Sequence, residues 1–169
     1  MTNRPQKPIR NIVDAELMDF MSPKGKFKAK LCRMGPSIGA EKLGACLTVL
    51  EPGRKSFPFH VHHFNEEMMY VIEGEGEYRF GPETYKVRAG DLIAAPAGGP
   101  ERAHQMTNTG AWPLRYLCFS TMHPVDVVEY PDSGKILAYS ANPENPMAPR
   151  VRHIARPGTS LDYFEGEDE

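Results

Sequence analysis

The chain has 169 residues, of which 40% are hydrophobic and 25% are charged, and this composition is typical of a globular protein with one domain-sized core. Its 20 basic and 22 acidic residues give a net charge of -2, without the basic stripe by which proteins bind nucleic acid. No apolar run approaches the roughly 18 residues of a membrane-spanning helix, and Met1 is followed by a polar stretch. We therefore expect a cytoplasmic protein that binds neither nucleic acid nor membrane.

The chain divides into three segments that differ in composition and sequence pattern. Residues 1–23 are polar and contain prolines, and we interpret them as an N-terminal arm with a weak helical candidate at 14–21. Residues 24–130 begin with lysines that alternate with apolar residues, the period-two pattern of a half-buried strand. Residues 131–169 are proline-rich and end in acidic residues, which predicts an irregular C-terminal extension.

The central segment favours an all-β fold. The chain holds 16 prolines and 15 glycines, and short apolar runs separated by such turn residues are typical of a sandwich or barrel. A compact hairpin turn is predicted at 81–84, and a turn or bulge at 74–76. The predicted strands that follow the lysine-rich one are Leu43–Leu50, Met68–Ile72, Tyr78–Phe80, Tyr85–Val87, Leu92–Ala95 and Leu114–Ser120.

Four residues form the candidate site. His60 and His62 are two positions apart, so on an extended strand both side chains point to the same face. Glu67 follows five residues later, and His104 lies after a turn region rich in proline and glycine, from which it could return to the same point. Three imidazoles and one carboxylate suit one divalent ion of manganese, iron, cobalt, nickel, copper or zinc.

These residues resemble the two sequence motifs of the cupin superfamily. In the first motif a glycine precedes His-x-His, a glutamate and a second glycine; in the second, Gly, Pro-x-Gly, His and Asn follow one another. Two spacings are longer than the family pattern, with six residues between Gly53 and His60 and five between Gly98 and His104, and both lie in turns, which tolerate insertions. The matching residues are His60, His62, Glu67 and Gly74 in the first motif and Gly90, Pro96, Gly98, His104 and Asn108 in the second.

The resemblance covers roughly residues 43–120 and has several implications. It implies a double-stranded β-helix, or jelly-roll barrel, with the metal held inside the barrel mouth by His60, His62, Glu67 and His104. It also implies a homodimer, since small cupins commonly pair through edge strands. The chain is most similar to a bacterial group of small cupins whose members mostly have no assigned reaction, so the resemblance predicts a fold without choosing a function.

Three functions are compatible with the sequence. A metalloenzyme would act on a small anionic or sugar-derived substrate, either as a dioxygenase or as an isomerase or lyase. A binding or sensing module would hold a small ligand on the metal without chemistry. A structural cupin would use the metal for stability alone, and the complete ligand set argues against it.

Residues outside the four candidate ligands have simpler expected roles. His63 and Glu66 are expected to point outward, although Glu66 is also a candidate hydrogen-bond acceptor for a ligand histidine. Arg54, Lys55 and Arg102 are candidates for holding an anionic substrate, with solvated charges as the alternative. The three cysteines are expected to be buried, inert thiols. Residues that either line a pocket or belong to the core are Phe57, Phe59, Met69, Tyr70, Met106, Trp112 and Tyr116.

Overall fold

The computed structural model describes residues 7–142, 148–158 and 160–167. These residues form thirteen strands and four single-turn 3-10 helices, and no helix among them is long and apolar enough to cross a membrane. The 3-10 helices lie at Ile12–Asp14, Pro36–Ile38, Pro100–Arg102 and Pro131–Ser133. The strands are β1 (Met18–Met21), β2 (Lys28–Arg33), β3 (Leu43–Leu50), β4 (Val61–His62), β5 (Glu67–Glu73), β6 (Glu75–Phe80), β7 (Glu83–Arg88), β8 (Leu92–Ala95), β9 (His104–Thr107), β10 (Leu114–Thr121), β11 (Val125–Tyr130), β12 (Lys135–Ser140) and β13 (Val151–Ala155).

The strands pair in antiparallel fashion into three sheets. The largest has the order β1-β2-β3-β10-β5-β8, the second β13-β12-β11-β4 and the third β7-β6-β9. Neighbouring strands are often distant in sequence, as in a jelly roll, where strands from both halves of the chain alternate around the barrel. The expected all-β double-stranded β-helix is confirmed.

Apolar side chains from several strands fill the barrel interior. Leu50, Val71 and Leu114 come from β3, β5 and β10, and each is completely buried. Since full burial of one such side chain contributes about 1.5–3 kcal/mol, this cluster is a main source of stability. Of the residues that could have lined a pocket, Met69, Met106 and Tyr116 belong to the same core.

The bend between β5 and β6 matches the predicted turn or bulge. Gly74 has a φ of 85°, and a Cβ atom there would lie 2.5 Å from the carbonyl oxygen of Pro113. The pairing of β5 with β10 shifts register beside it, between Arg115 and Tyr116. Only glycine can take this conformation at such a close backbone approach.

The helical candidate at 14–21 is wrong over most of its length. Met18–Met21 forms β1, which pairs with Lys28–Leu31 at the edge of the largest sheet, and only Ile12–Asp14 makes one 3-10 turn. A local helical preference is weak enough to be overridden by sheet pairing.

The C-terminal extension, which was expected to be irregular, contains the two strands β12 and β13. β12 pairs along the whole of β11, and β13 pairs with β12. The sheet therefore continues beyond residue 130, where the barrel was expected to end, although residues 143–147 lie outside the described part. Arg79 on β6 ties this region to the barrel through a forked ion pair with Asp132, at 3.0 and 2.9 Å.

The asparagine of the second motif has a structural role. Asn108 is completely buried and donates hydrogen bonds to the carbonyl oxygens of Leu50 and Trp112 at 2.7 and 2.8 Å. Its own side-chain oxygen accepts from the backbone N–H of Gly110 at 2.9 Å. Asn108 thus closes the turn between β9 and β10, while Trp112 itself is 78% exposed.

Candidate metal centre

Each of the three sheets contributes to one cluster of polar side chains. His60 and His62 lie before and within β4, Glu67 begins β5, and His104 begins β9. The backbones of His60 and His104 are joined by a pair of hydrogen bonds of 3.2 and 2.7 Å, which sets the two histidines side by side. The side chains predicted from the sequence are thereby brought to one end of the barrel.

Alternation along the extended segment explains why both histidines of the first motif face inward. Phe59 and Val61 point to the opposite side, where they are 3% and 0% exposed and pack with Ala103. Burial of these apolar residues fixes the strand register, and with it the direction of His60 and His62.

The donor atoms are close enough to share one ion. One ligand atom each from His60, His62 and Glu67 lies within 4.8 Å of the others. Nε2 of His104 is 3.0 Å from Oε2 of Glu67, and its ring centroid is 4.6 Å from that of His60. Among the described residues, His60, His62 and Glu67 form the cluster whose geometry could hold a metal ion, and His104 lies beside it.

His60 presents a free lone pair to the cluster. Its Nδ1 lies 2.8 Å from the carbonyl oxygen of Pro58, an atom that can only accept, so Nδ1 carries a proton and Nε2 does not need one. Burial, helped by the neighbouring His104, lowers the pKa of His60 to about 4. At neutral pH His60 is therefore a neutral imidazole suited to metal binding.

His62 is held in the same way by a carboxylate. Its Nδ1 lies 2.6 Å from Oδ2 of Asp126, which is completely buried on β11. Burial acts to lower the pKa of His62, but the hydrogen bond to Asp126 and the charge of Glu67 outweigh it and raise the pKa. Histidines that bind metals through one nitrogen commonly donate to such a carboxylate through the other.

Glu67 and His104 lie next to the two histidines of the first motif. Burial acts to raise the pKa of Glu67, but the hydrogen bond from His104 and the surrounding imidazoles lower it to about 2. Nδ1 of His104 is buried and has no hydrogen-bond partner in the described structure. The ionised carboxylate of Glu67, the neutral imidazole of His60 and the imidazole of His62 backed by Asp126 fit a divalent transition metal.

A thiol borders the cluster. Sγ of Cys118 lies 3.6 Å from Oε1 of Glu67, and burial and the charge of Glu67 raise the pKa of Cys118. The thiol is thus protonated and donates to the carboxylate. Burial also raises the pKa of Cys46, which pairs directly with Cys118 across β3 and β10. Cys32 is buried as expected, whereas Cys46 and Cys118 are only half-buried.

The sheet β13-β12-β11-β4, called the C-terminal sheet below, forms one wall beside the histidines. The sequence did not predict this wall. Paired residues of neighbouring strands share a face, and Asp126, Tyr139 and Arg152 are paired in succession across β11, β12 and β13. Tyr130 lies on the same face of β11, stacks on His60 with centroids 6.3 Å apart, and has the Lys135 ammonium 5.4 Å from its ring centroid. Two phenols and two cations therefore lie on the sheet face that carries Asp126.

The cationic candidates from the sequence are engaged elsewhere or exposed. Lys55 donates to the side chain of Gln105 at 3.2 Å, and Arg102 donates to the carbonyl oxygen of Ala97 at 2.8 Å within its own loop. Arg54 is exposed.

The two residues expected to point outward do so. His63 meets Glu129 at 2.7 Å on the outer side of the barrel. Glu66 is exposed, and the carboxylate that accepts from a candidate ligand histidine is Asp126.

Part of the chain is similar in sequence to a known protein family. Residues 46–120 match the family model of the cupin domain. Over this segment the chain resembles the cupin family. Over 61 residues, 36% of the chain, it is 38% identical to an uncharacterized protein of Methanocaldococcus jannaschii, and the match spans only 46% of that protein.

Two solved cupin-like structures cover most of the chain. A sugar phosphate isomerase of the cupin superfamily from Silicibacter pomeroyi is 25% identical, with 92% of this chain and 98% of the other covered and a TM-score of 0.75. A protein of Acidithiobacillus ferrooxidans, provisionally described as a sugar phosphate isomerase, is 23% identical, with 92% and 96% covered and a TM-score of 0.77. The second likeness shows the cupin fold alone.

Proposed function

We propose that this protein is a divalent-metal-dependent enzyme that acts on a small anionic, sugar-derived substrate. The observation that carries the proposal is the cluster of His60, His62 and Glu67 with His104 beside it, in which hydrogen bonds leave Nε2 of His60 and His62 available. A divalent ion bound there would supply Lewis acidity that polarises a substrate carbonyl or hydroxyl group.

The neighbouring phenols would hold protons next to the reacting atoms. Burial raises the pKa of Tyr130 and of Tyr139 above the ordinary value of 10, so both keep their protons at neutral pH. The hydroxyl oxygen of Tyr139 accepts from Asn65 at 3.2 Å, which leaves its own O–H to donate. Both phenols are therefore suited to donate hydrogen bonds, or a proton, to a substrate oxygen.

Two cations on the same wall support an anionic substrate. Lys135 lies over the ring of Tyr130, and the charge of Arg152 acts on the Tyr130 hydroxyl. An arginine and a lysine together suit a phosphate or carboxylate group. The likeness to the sugar phosphate isomerase from Silicibacter pomeroyi favours a phosphorylated sugar and an isomerisation over dioxygen chemistry.

The first experiment is metal analysis by plasma mass spectrometry on protein purified without a tag or chelator. We expect about one divalent ion per chain in the wild type and almost none in His62→Ala/His104→Ala. A matched control, His63→Ala/His123→Ala, removes two histidines outside the cluster and should keep the ion. Wild-type protein that holds no ion, and takes none up from manganese, iron, nickel or zinc solutions, would rule out the metal centre.

The second experiment tests the reaction. The metal-loaded protein is incubated with aldose phosphates, and the corresponding ketose phosphates are detected by NMR. Turnover that disappears with the double variant supports the isomerase. Tight binding of a sugar phosphate without turnover would instead favour a binding or sensing module.

We also propose that the protein is a cytoplasmic homodimer. Support for the dimer comes from β1, which among the described residues stands at the edge of the largest sheet, and whose residues Met18, Phe20 and Met21 are 65%, 37% and 61% exposed. Exposed apolar edge strands commonly pair with a second chain.

A further inference from the structure

A buried carboxylate outside the family motifs contacts one candidate ligand. Asp126 has no exposed surface, and its Oδ2 atom lies 2.6 Å from Nδ1 of His62. It stands on β11, beyond residues 46–120 that match the cupin model. Its position in the sequence, between two valines, gives no motif that would point to a site.

Four donors fix the orientation of this carboxylate. Oδ1 accepts from the backbone N–H groups of Phe64 and Val127 at 3.1 and 2.8 Å. Oδ2 accepts from Asn65 Nδ2 and from His62, both at 2.6 Å. Because both oxygens are committed to donors, Asp126 can accept a proton-bearing Nδ1 of His62 and cannot rotate away from it.

The amide that supports Asp126 is itself fixed. The side-chain oxygen of Asn65 accepts from the Thr121 hydroxyl at 3.2 Å and from the backbone N–H of His123 at 2.8 Å. Since both partners donate, the Asn65 amide is placed with its NH2 group toward Asp126 and Tyr139. Each hydrogen bond that links Asn65, Asp126 and His62 therefore has an assigned donor and acceptor.

We propose that Asp126 is a positioning residue of the metal centre, which holds His62 as the Nδ1–H tautomer so that Nε2 faces the ion. The inference rests on the proposed function, because it concerns how His62 binds the metal. A carboxylate behind a ligand histidine fixes the ring and increases the basicity of its free nitrogen, and loss of such a partner typically costs 10- to 100-fold in metal affinity.

The test compares Asp126→Asn with a change in a second carboxylate of β11 that also contacts a histidine. In Asp126→Asn the two backbone N–H groups retain the side-chain oxygen, so the new NH2 group faces Nδ1 of His62 and favours the wrong tautomer. The control is Glu129→Gln, which changes the carboxylate that meets the adjacent, partly exposed His63 at 2.7 Å.

Two readouts are measured on the zinc-loaded protein: the dissociation constant for zinc by chelator competition, and the bound tautomer of His62 by 15N–1H correlation NMR with labelled histidine. We expect about 10- to 100-fold weaker binding in Asp126→Asn, no change in Glu129→Gln, and Nδ1–H for His62 in the wild type. Equal zinc affinity in a folded Asp126→Asn overturns the inference.

The wild type decides the question if Asp126→Asn does not fold. A zinc-bound His62 that carries its proton on Nε2 overturns the role of Asp126, and Nδ1–H supports it. Wild-type protein that takes up none of manganese, iron, nickel and zinc overturns the proposed function first, and the inference with it, so the two failures are distinguishable.

Discussion

The phenol ring of Tyr130 stacks on the imidazole of His60, with the ring planes inclined by 23°. Tyr130 ends β11, whereas His60 precedes β4, so the C-terminal sheet and the first cupin motif meet at this contact. The strands that follow the matched cupin segment are therefore part of the candidate centre.

Replacement of Arg152 or Lys135 by alanine should weaken the binding of anions. Each cation stands beside Tyr130 and would contact the charged end of the substrate, so we expect the Kd for inorganic phosphate to rise roughly tenfold, which corresponds to about 1.4 kcal/mol. Calorimetric titration of the metal-loaded protein measures it. Lys86→Ala, an exposed position on β7, is the control, and an equal effect there would show nonspecific charge attraction.

Glu67→Gln should lose more than tenfold in metal affinity, whereas Glu66→Gln should bind metal as the wild type does. The two glutamates are adjacent, but Glu67 lies in the cluster with a pKa of about 2, while Glu66 is exposed. An amide keeps the volume of Glu67 but removes the charge that the ion requires. Chelator competition with zinc measures both, and equal affinities would place the carboxylate ligand elsewhere.

The stability of the metal-free protein should depend on His60 in weakly acidic solution. Its pKa is about 4 when folded against an ordinary 6.5, so the unfolded chain binds a proton at a higher pH than the folded chain. The stabilisation is fully present above pH 6.5 and is lost as the pH falls through 6.5 toward 4. Urea unfolding at several pH values should show a smaller loss for His60→Gln over this window; equal losses would contradict the shift.

Asn108→Ala should destabilise the fold by about 3 kcal/mol without removing the metal. The substitution leaves the buried carbonyl oxygen of Leu50 and the partly buried one of Trp112 without their donor, and an unsatisfied buried group costs about 1–3 kcal/mol. Asn11→Ala removes an exposed helix cap and should cost about 1 kcal/mol or less. Urea unfolding measures both variants, and similar costs would mean that the Asn108 turn is not essential.

Light scattering should give about twice the chain mass of 18.9 kDa if the proposed homodimer forms. Charged residues on the exposed edge strand oppose pairing, so Met18→Lys/Met21→Lys should be a monomer. Leu161→Lys changes an equally apolar residue that is 72% exposed in the C-terminal segment and should remain dimeric. A monomeric wild type would exclude the dimer.

The sequence predicted the barrel and the clustered residues because both depend on local patterns. Alternation places His60 and His62 on one face, and motif spacing brings Glu67 and His104 to them. Asp126 could not be predicted in this way, because its partner is 64 residues away and the contact depends on the pairing of β4 with β11. One signal was present: Asp126 occupies an inward position of an apolar strand, where an unpaired charge would be costly.

The same dependence on pairing explains the errors at the ends. Met18–Met21 contains residues that suit either a helix or a strand, and its pairing with β2 decides the outcome. The prolines after residue 130 led to the prediction of an irregular extension. They lie before and after β12 rather than within it, so Lys135–Ser140 can still pair with β11.

Because the four candidate donors come from three different sheets, a bound ion would affect the stability of the folded chain. An ion held there would tie together elements that share few backbone hydrogen bonds, and it would bind the folded chain but not the unfolded one. At a hundredfold excess over its Kd, such an ion adds about 2.7 kcal/mol to the free energy of unfolding. Metal supply in the cell would then set how long the chain resists proteases, in addition to whether it is active.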